Sequence, residues 1–163
     1  NFDPMLLITL DVNENNENIY DSLDDYTKIY TLDSENLWKC DKCNKLVSCE
    51  KRNRFWKLPE ILIIMIKQYN DNSKKIDKFV EYPMDLNMEP YCYNYKNDSL
   101  QYELQSICIH TGSLRGGHYY AYCKNILDNK WRQYNDSHVS DPLDKENVLK
   151  EKPYCLFYKR INE

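Results

Sequence analysis

Hydrophobic residues fall into short runs separated by polar segments, which is the pattern of a strand-rich protein. The longest run, Ile-Leu-Ile-Ile-Met-Ile at 61–66, lies inside residues 58–69 and predicts the best-defined strand of the chain, introduced by Pro59. Residues 5–10 predict a second, mostly buried strand, and the aromatic run at 154–159 predicts a last one.

The second half of the chain predicts a hairpin. Residues 102–111 alternate partly between apolar and polar positions, and 117–124 and 130–135 are two further strand-like segments around a turn at 125–129. Residues 79–83 predict an additional short strand.

Two short helices interrupt the strands. After a polar loop at 13–18, Asp21 and Ser22 open a helix whose apolar stripe is expected at Leu23, Tyr26, Thr27 and Tyr30. Residues 142–150 predict a short acidic helix. The whole pattern predicts an α+β protein built around a mainly antiparallel sheet.

Composition narrows the possible functions. The chain has 163 residues, 42% of them hydrophobic and 13% aromatic, with a net charge of −4 and a pI near 5.5. Without a basic excess, nucleic acid is not an expected partner. No apolar run approaches the roughly 18 residues of a membrane span, so no membrane partner is expected. Seven cysteines without a framework spacing favour a reducing compartment, which predicts a cytoplasmic or nuclear protein.

The three glycines of the chain are clustered beside a histidine. Gly112, Gly116 and Gly117 lie within the six residues before His118, in a segment that can bend sharply and leave space in front of the imidazole. A substrate main chain could approach His118 there. The alternative is a glycine-rich hairpin loop that a histidine follows by chance, and these residues alone leave both readings open.

The predicted hairpin adds a polar partner for His118. If 125–129 is a five-residue loop, residue 124 faces 130 and His118 faces Asp136, whereas a shift of one residue brings Asn135 opposite His118. Either residue could accept a hydrogen bond from the imidazole and orient it as a general base.

The nucleophile of such a site is predicted to be absent from this chain. A thiol paired with a histidine is readily activated. However, Cys92, Cys108, Cys123 and Cys155 lie in or beside apolar and aromatic runs, where cysteine is usually a small buried hydrophobic residue.

These motifs resemble those of a known family. Residues 116–125 (Gly-Gly-His-Tyr-Tyr-Ala-Tyr-Cys-Lys-Asn) and 131–140 (Trp-Arg-Gln-Tyr-Asn-Asp-Ser-His-Val-Ser) are similar to the histidine box of ubiquitin-specific proteases. Four further stretches resemble that family in the same order: 37–43, 56–63, 79–83 and 154–158. The resemblance covers nearly the whole chain.

The resemblance implies a fold and an activity. The family has a papain-like thumb–palm–fingers domain and cleaves the bond after the C-terminal glycine of ubiquitin, so ubiquitin and ubiquitinated proteins are the expected partners. It implies that His118 is the general base, that Asn135 is the third triad member and that the neighbouring Asp136 supports the site. It also implies that residues 110–117, with Tyr119, border the channel for the ubiquitin tail, and that loop 70–77 is a second such border.

The resemblance also implies what is missing. Nothing in the chain resembles the family's cysteine box, so the chain is expected to be the C-terminal half of the catalytic domain, with 1–57 in the fingers and 58–163 in the palm. The alternative is a catalytically inactive ubiquitin-binding or scaffold module of the same fold.

Zinc is the one metal that the sequence suggests. Cys40 and Cys43 form a Cys-x-x-Cys pair, which supplies two of the four ligands of a structural Zn²⁺, and Cys49 could in principle be a third. The pair resembles the second cysteine pair of the family's zinc finger. We expect a half-site here, completed only in the full-length protein, and no cofactor for catalysis.

Overall fold

The computed structural model describes residues 7–69, 76, 78–93, 99–113 and 115–161. Its elements in chain order are β1 (Ile8–Leu10), α1 (Ile19–Thr27), β2 (Tyr30–Thr31), β3 (Trp38–Lys39), β4 (Leu46–Val47), β5 (Glu50–Lys51), β6 (Ile61–Ile66), β7 (Asp85–Asn87), a 3₁₀ turn (Glu89–Tyr91), β8 (Gln101–Ser113), β9 (Gly116–Lys124), β10 (Trp131–Asn135), β11 (His138–Val139), α2 (Lys145–Val148) and β12 (Cys155–Arg160). The predicted α+β class is confirmed.

Within the described residues, eight strands form one sheet in the order β1-β6-β12-β8-β9-β10-β11, with β7 also paired to β8. The β1–β6 pair is parallel, and the other pairs are antiparallel. Two small hairpin-like sheets, β2–β5 and β3–β4, lie outside it, within the predicted fingers portion. No helix in the described part of the chain is long and apolar enough to cross a membrane.

One face of the large sheet forms the core. Alternate residues of β6 are buried, as the period of a strand requires, and the same holds for Ile107 and Ile109 of β8. Helix α1 adds Ile19 and Leu23, both fully buried, to this core. The other face of β6 is only partly covered, and its Ile61 is 47% exposed.

The chain contains 15 tyrosines, and some of them are buried in the core. Tyr102 and Tyr158 are fully buried, and their hydroxyls donate to the backbone carbonyls of Pro59 and Pro83, each at 2.7 Å. Tyr82 likewise donates to Val148 O at 2.8 Å. Each ring therefore fills core volume while its one polar group keeps a hydrogen bond.

Helix α1 begins two residues earlier than the sequence pattern predicts. The side chain of Asn18 accepts from the backbone of Tyr20 and Asp21, and the Asp21 carboxylate accepts from the Asn18 backbone, which completes a capping box. Asp21 is therefore the third residue of the helix rather than its start. The helix ends at Thr27, so Tyr30 is not on its stripe but in β2, 39% exposed.

The predicted strand at 79–83 is wrong. The described residues there form a single bridge between Glu81 and Asn18, and the true strand, β7, begins after Pro83. The long predicted strand at 58–69 is shortened to β6, and the helix at 142–150 to α2. Residues 5 and 6 and all but residue 76 of loop 70–77 lie outside the described residues.

The predicted β9–β10 hairpin forms, but both registers considered for it are wrong. Lys124 pairs with Trp131 rather than residue 130, so the connecting loop is one residue longer than assumed. The loop is closed by Asn125 N donating to Lys130 O at 2.9 Å, and Asn129 adopts a positive φ of 56°. Asparagine tolerates this left-handed conformation better than most residues, which accommodates the extra residue.

Candidate active site

The structure brings His118 and Asn135 together at one end of the sheet. His118 Nε2 lies 2.6 Å from Asn135 Oδ1, a hydrogen bond between the start of β9 and the last residue of β10. Asp136 is farther away, with its Oδ2 at 3.9 Å from the same nitrogen.

The observed register explains which residue reaches the imidazole. With Lys124 opposite Trp131, Asn135 aligns with Tyr120, and His118 is its diagonal neighbour on the same face of the sheet. In the register with residue 124 opposite residue 130, Asp136 and not Asn135 would have shared a face with His118. A shift of one residue moves every side chain of a strand to the other face.

This geometry fixes the chemistry of the two ring nitrogens. The amide oxygen of Asn135 can only accept, so Nε2 carries a hydrogen when the bond forms. The other nitrogen, Nδ1, is thereby assigned to proton exchange with a reacting group. The His118 side chain is 47% exposed, so such a group can reach it.

The glycines have three different roles in the hairpin. Gly112 has φ of 120°, and a Cβ there would lie 2.6 Å from Gly116 O. A Cβ on Gly117 would lie 2.2 Å from His110 Nε2 and 2.4 Å from Thr111 O. A Cβ on Gly116 would meet no atom within 4 Å. Packing within the chain therefore accounts for two of the glycines, and Gly116 alone faces open space.

A groove lies beside these glycines, on the opposite face of the sheet from His118. It has a volume of about 310 Å³ and is lined by Tyr69, His110, Ser113, Arg115, Gly116, Gly117, Tyr119 and Tyr154. The Tyr119 ring, 53% exposed, packs 4.6 Å from His110 and 5.8 Å from Tyr154 between ring centroids.

His110, the first residue of the segment that the resemblance places along the tail channel, lines this groove. It is 8% exposed, and its Nδ1 is buried with no hydrogen-bond partner among the described residues. The β8–β9 register pairs it directly with Tyr119. The pairing of His110 with Tyr119 across the glycine turn could be predicted from the sequence only if the strand register were known.

Three palm cysteines lie behind the sheet from His118, and the fourth, Cys92, is buried in the core with its pKa raised to about 11. By strand alternation Cys108, Cys123 and Cys155 occupy the face of the sheet opposite to His118. Burial raises the pKa of Cys155 to about 11 and also raises those of Cys108 and Cys123. Their environment keeps these thiols protonated, the reverse of an activated nucleophile.

Cys40 and Cys43 lie in the turn between β3 and β4. Cys40 N donates to Lys45 O at 2.9 Å and Asn44 N donates to Cys40 O at 2.8 Å, with Asn44 at φ of 56°. Backbone hydrogen bonds from Cys43 and Lys42 lower the pKa of the Cys40 thiol. A thiolate held this way suits a Zn²⁺ ligand. The described residues contain no group of three or more possible metal ligands, and Cys49 does not complete one.

Comparison with known proteins identifies the family. The family model described as ubiquitin carboxyl-terminal hydrolase matches residues 4–158, nearly the whole chain. The chain belongs to the ubiquitin carboxyl-terminal hydrolase family. Its relatives are of the ubiquitin-specific protease type that the histidine box resembles.

Relatives in the ubiquitin carboxyl-terminal hydrolase family come from plants, fungi, animals and a virus. Ubiquitin carboxyl-terminal hydrolase 10 of Arabidopsis thaliana is 38% identical over 134 residues, covering 80% of this chain and 14% of the plant protein. Ubiquitin carboxyl-terminal hydrolase 8 of Saccharomyces cerevisiae is 36% identical over 169 residues, covering 96% of this chain and 35% of the yeast protein. The chain thus spans only a fraction of the length of these relatives.

Solved structures of this hydrolase family agree with the fold. The SAGA DUB module of Ubp8, Sgf11, Sus1 and Sgf73 bound to monoubiquitin matches with a TM-score of 0.85 and 36% identity, over 98% of this chain and 36% of the other. The same module bound to ubiquitin aldehyde matches with a TM-score of 0.83 and 34% identity, over 98% of this chain and 37% of the other.

Proposed function

We propose that this chain is the base-carrying part of a deubiquitinating cysteine protease, which hydrolyses the bond after the C-terminal glycine of ubiquitin. The observation that carries the proposal is the 2.6 Å contact between His118 Nε2 and Asn135 Oδ1 in a chain of this family. Solved relatives of similar fold were captured with ubiquitin, which supports ubiquitin as the partner.

In this proposal His118 acts twice. Its Nδ1 takes the proton of a cysteine thiol, and the resulting thiolate attacks the carbonyl carbon of the last ubiquitin glycine. The imidazolium then donates that proton to the leaving amine. In the second half of the reaction His118 takes a proton from water, which hydrolyses the thioester. Asn135 keeps the ring in one tautomer and one orientation throughout.

The attacking cysteine is proposed to belong to a part of the protein outside these residues. Two observations support this proposal. Cys108, Cys123 and Cys155 lie on the other face of the sheet and Cys92 is buried in the core, all with raised pKa values. The chain also covers only 35% of the yeast relative.

The aromatic groove is proposed to hold the ubiquitin tail. Its walls are Tyr119, Tyr154 and His110, and the exposed Gly116 leaves its rim without a side chain. A Gly-Gly tail is narrow enough to pass such a rim.

Zinc is proposed as a structural ion of the full-length protein. Cys40 and Cys43 would supply two of its ligands and hold the β3–β4 turn, and the other two would come from outside these residues. The ion takes no part in the catalytic step. A cytoplasmic or nuclear location stays a prediction from the cysteine usage.

The full-length enzyme, assayed with a fluorogenic ubiquitin substrate, tests the proposed function. His118→Ala is expected to abolish turnover, and Asn135→Ala to lower kcat by roughly 100-fold, because general-base catalysis is worth about 10²–10⁴-fold. His138→Ala is the matched control, since this exposed histidine contributes no predicted catalytic group.

The outcomes separate an enzyme from a binding module. Full activity of His118→Ala contradicts the assigned base. A wild-type protein that binds ubiquitin tightly but never turns the substrate over favours the inactive scaffold instead. Loss of activity in His138→Ala comparable to that in His118→Ala would show that the assay reports general damage to the hairpin.

A further inference from the structure

Tyr120 packs beside the His118–Asn135 pair and is not among the residues that line the aromatic groove. Its ring stacks beside the His118 imidazole, with centroids 6.3 Å apart and planes 26° apart. The β9–β10 register aligns its backbone with Asn135, so Tyr120 flanks both partners of the hydrogen bond. The ring is half-buried and packs against the core.

The Tyr120 ring is in turn packed against Tyr122. Its ring meets Tyr122 edge-on, at 5.9 Å between centroids and 67° between planes. The Tyr122 hydroxyl donates to Glu151 Oε1 at 2.9 Å and accepts from Gln133 Nε2 at 3.1 Å. Tyr122 is 7% exposed, so this second ring has little freedom to move.

Glu151 ties this arrangement to the rest of the fold. Its backbone N donates to Val148 O at 3.1 Å, at the end of α2, and its carbonyl accepts from the Tyr82 hydroxyl at 3.1 Å. The row His118, Tyr120, Tyr122 therefore runs along one face of β9, from the exposed hydrogen bond to a fixed point in the core.

We propose that Tyr120 is a positioning residue of the active site: its ring, braced by Tyr122, limits rotation of the His118 imidazole and covers one side of its hydrogen bond to Asn135. The proposal rests on the proposed function, because it concerns the same histidine. It goes beyond the triad by assigning a role to an apolar contact rather than to a hydrogen bond.

The physical argument is the exposure of the pair. The His118 side chain is 47% exposed, and a surface hydrogen bond exchanges readily with water, so its net worth is modest. A rigid ring on one side removes water from that side and leaves the imidazole fewer rotamers. Because the effect needs only the ring face, the Tyr120 hydroxyl is dispensable.

The test compares Tyr120→Phe and Tyr120→Leu in the full-length enzyme. Tyr120→Phe keeps the ring and is expected to stay within about twofold of wild type in kcat. Tyr120→Leu removes it and is expected to lower kcat about tenfold with KM within twofold, since orientation acts in the chemical step. Tyr134→Leu is the matched control: this tyrosine is on β10, next to Asn135 but on the other face of the sheet, and its loss should leave both constants unchanged.

A double-mutant cycle separates positioning from general stability. If Tyr120 acts through the His118–Asn135 bond, Tyr120→Leu should cost less than about twofold once Asn135 is alanine. An effect that remains tenfold in that background overturns the proposal. So does a Tyr120→Leu enzyme with wild-type kcat, a loss expressed only in KM, or an equal loss in Tyr134→Leu.

Two further controls are needed to interpret the Tyr120→Leu result. If Tyr120→Leu does not fold, Tyr120→Met, an unbranched apolar side chain of comparable length, makes the same comparison. Wild type and His118→Ala are assayed first. An inactive wild type removes the basis of the proposed function and of this proposal together, whereas an active wild type with an unchanged Tyr120→Leu variant overturns this proposal alone.

Discussion

Asn135 reaches the imidazole because of how the chain turns after it. Asp136 has φ of 50°, which reverses the backbone towards His138 and leaves its carboxylate 3.9 Å from His118 Nε2. Aspartate is among the few residues that adopt this conformation readily. The acidic residue therefore shapes the turn, while the neutral amide before it makes the short hydrogen bond.

The glycines give a prediction at the scale of single residues. In the full-length protein, Gly117→Ala should destabilise the fold by about 1–3 kcal/mol, because its Cβ would overlap His110 Nε2 and Thr111 O. Gly116→Ala should leave stability unchanged, since its Cβ meets no atom within 4 Å. Urea unfolding of both variants measures the difference. Equal stability of the two would show that the hairpin relaxes around the Gly117 methyl group.

At the scale of elements, the sequence predicted which strands and helices are present better than it predicted where each begins and ends. Strand β6 and the β9–β10 hairpin follow from apolar runs that no other element could bury. The start of α1 was missed because the decisive group, the Asn18 cap, lies in a segment without apolar periodicity. The hairpin register was missed because it depends on a single positive-φ residue, Asn129, and that one residue decided whether Asn135 or Asp136 shared a face with His118.

The β3–β4 turn gives a prediction about zinc binding at the scale of elements. Purified full-length protein is expected to hold one zinc per chain, and Cys40→Ser or Cys43→Ser should lose it, because each removes one of four ligands. Cys49→Ser is the control and should keep the zinc, since no described group of three ligands includes Cys49. Elemental analysis after gel filtration measures the content. Stoichiometric zinc in the isolated 163-residue chain would contradict the half-site, because the four ligands would then all lie within it.

At the scale of the whole molecule, the large sheet separates the His118–Asn135 pair from three palm thiols and the aromatic groove. One face buries the core and, at its exposed end, carries the His118–Asn135 pair. The other face carries Cys108, Cys123, Cys155 and the aromatic groove, in which Tyr119 and His110 are neighbours across β8 and β9. His118 and Tyr119 are consecutive residues, so their side chains point to opposite faces. A tail in the groove would have to cross the edge of the sheet, past Gly116, to reach His118.

This separation predicts that the isolated 163-residue chain does not hydrolyse a fluorogenic ubiquitin substrate, whereas the full-length protein does. The chain holds a base and its orienter, but Cys108, Cys123 and Cys155 lie behind the sheet from His118. Cys92 is buried in the core, and burial raises the pKa of Cys92 and of Cys155 to about 11. At neutral pH such a thiol is almost wholly protonated, so it neither attacks nor exchanges its proton with His118. Circular dichroism of the isolated chain must first show that its strands form. Turnover that disappears in His118→Ala and in one cysteine variant of this chain would contradict the prediction, because it would place the nucleophile within these residues.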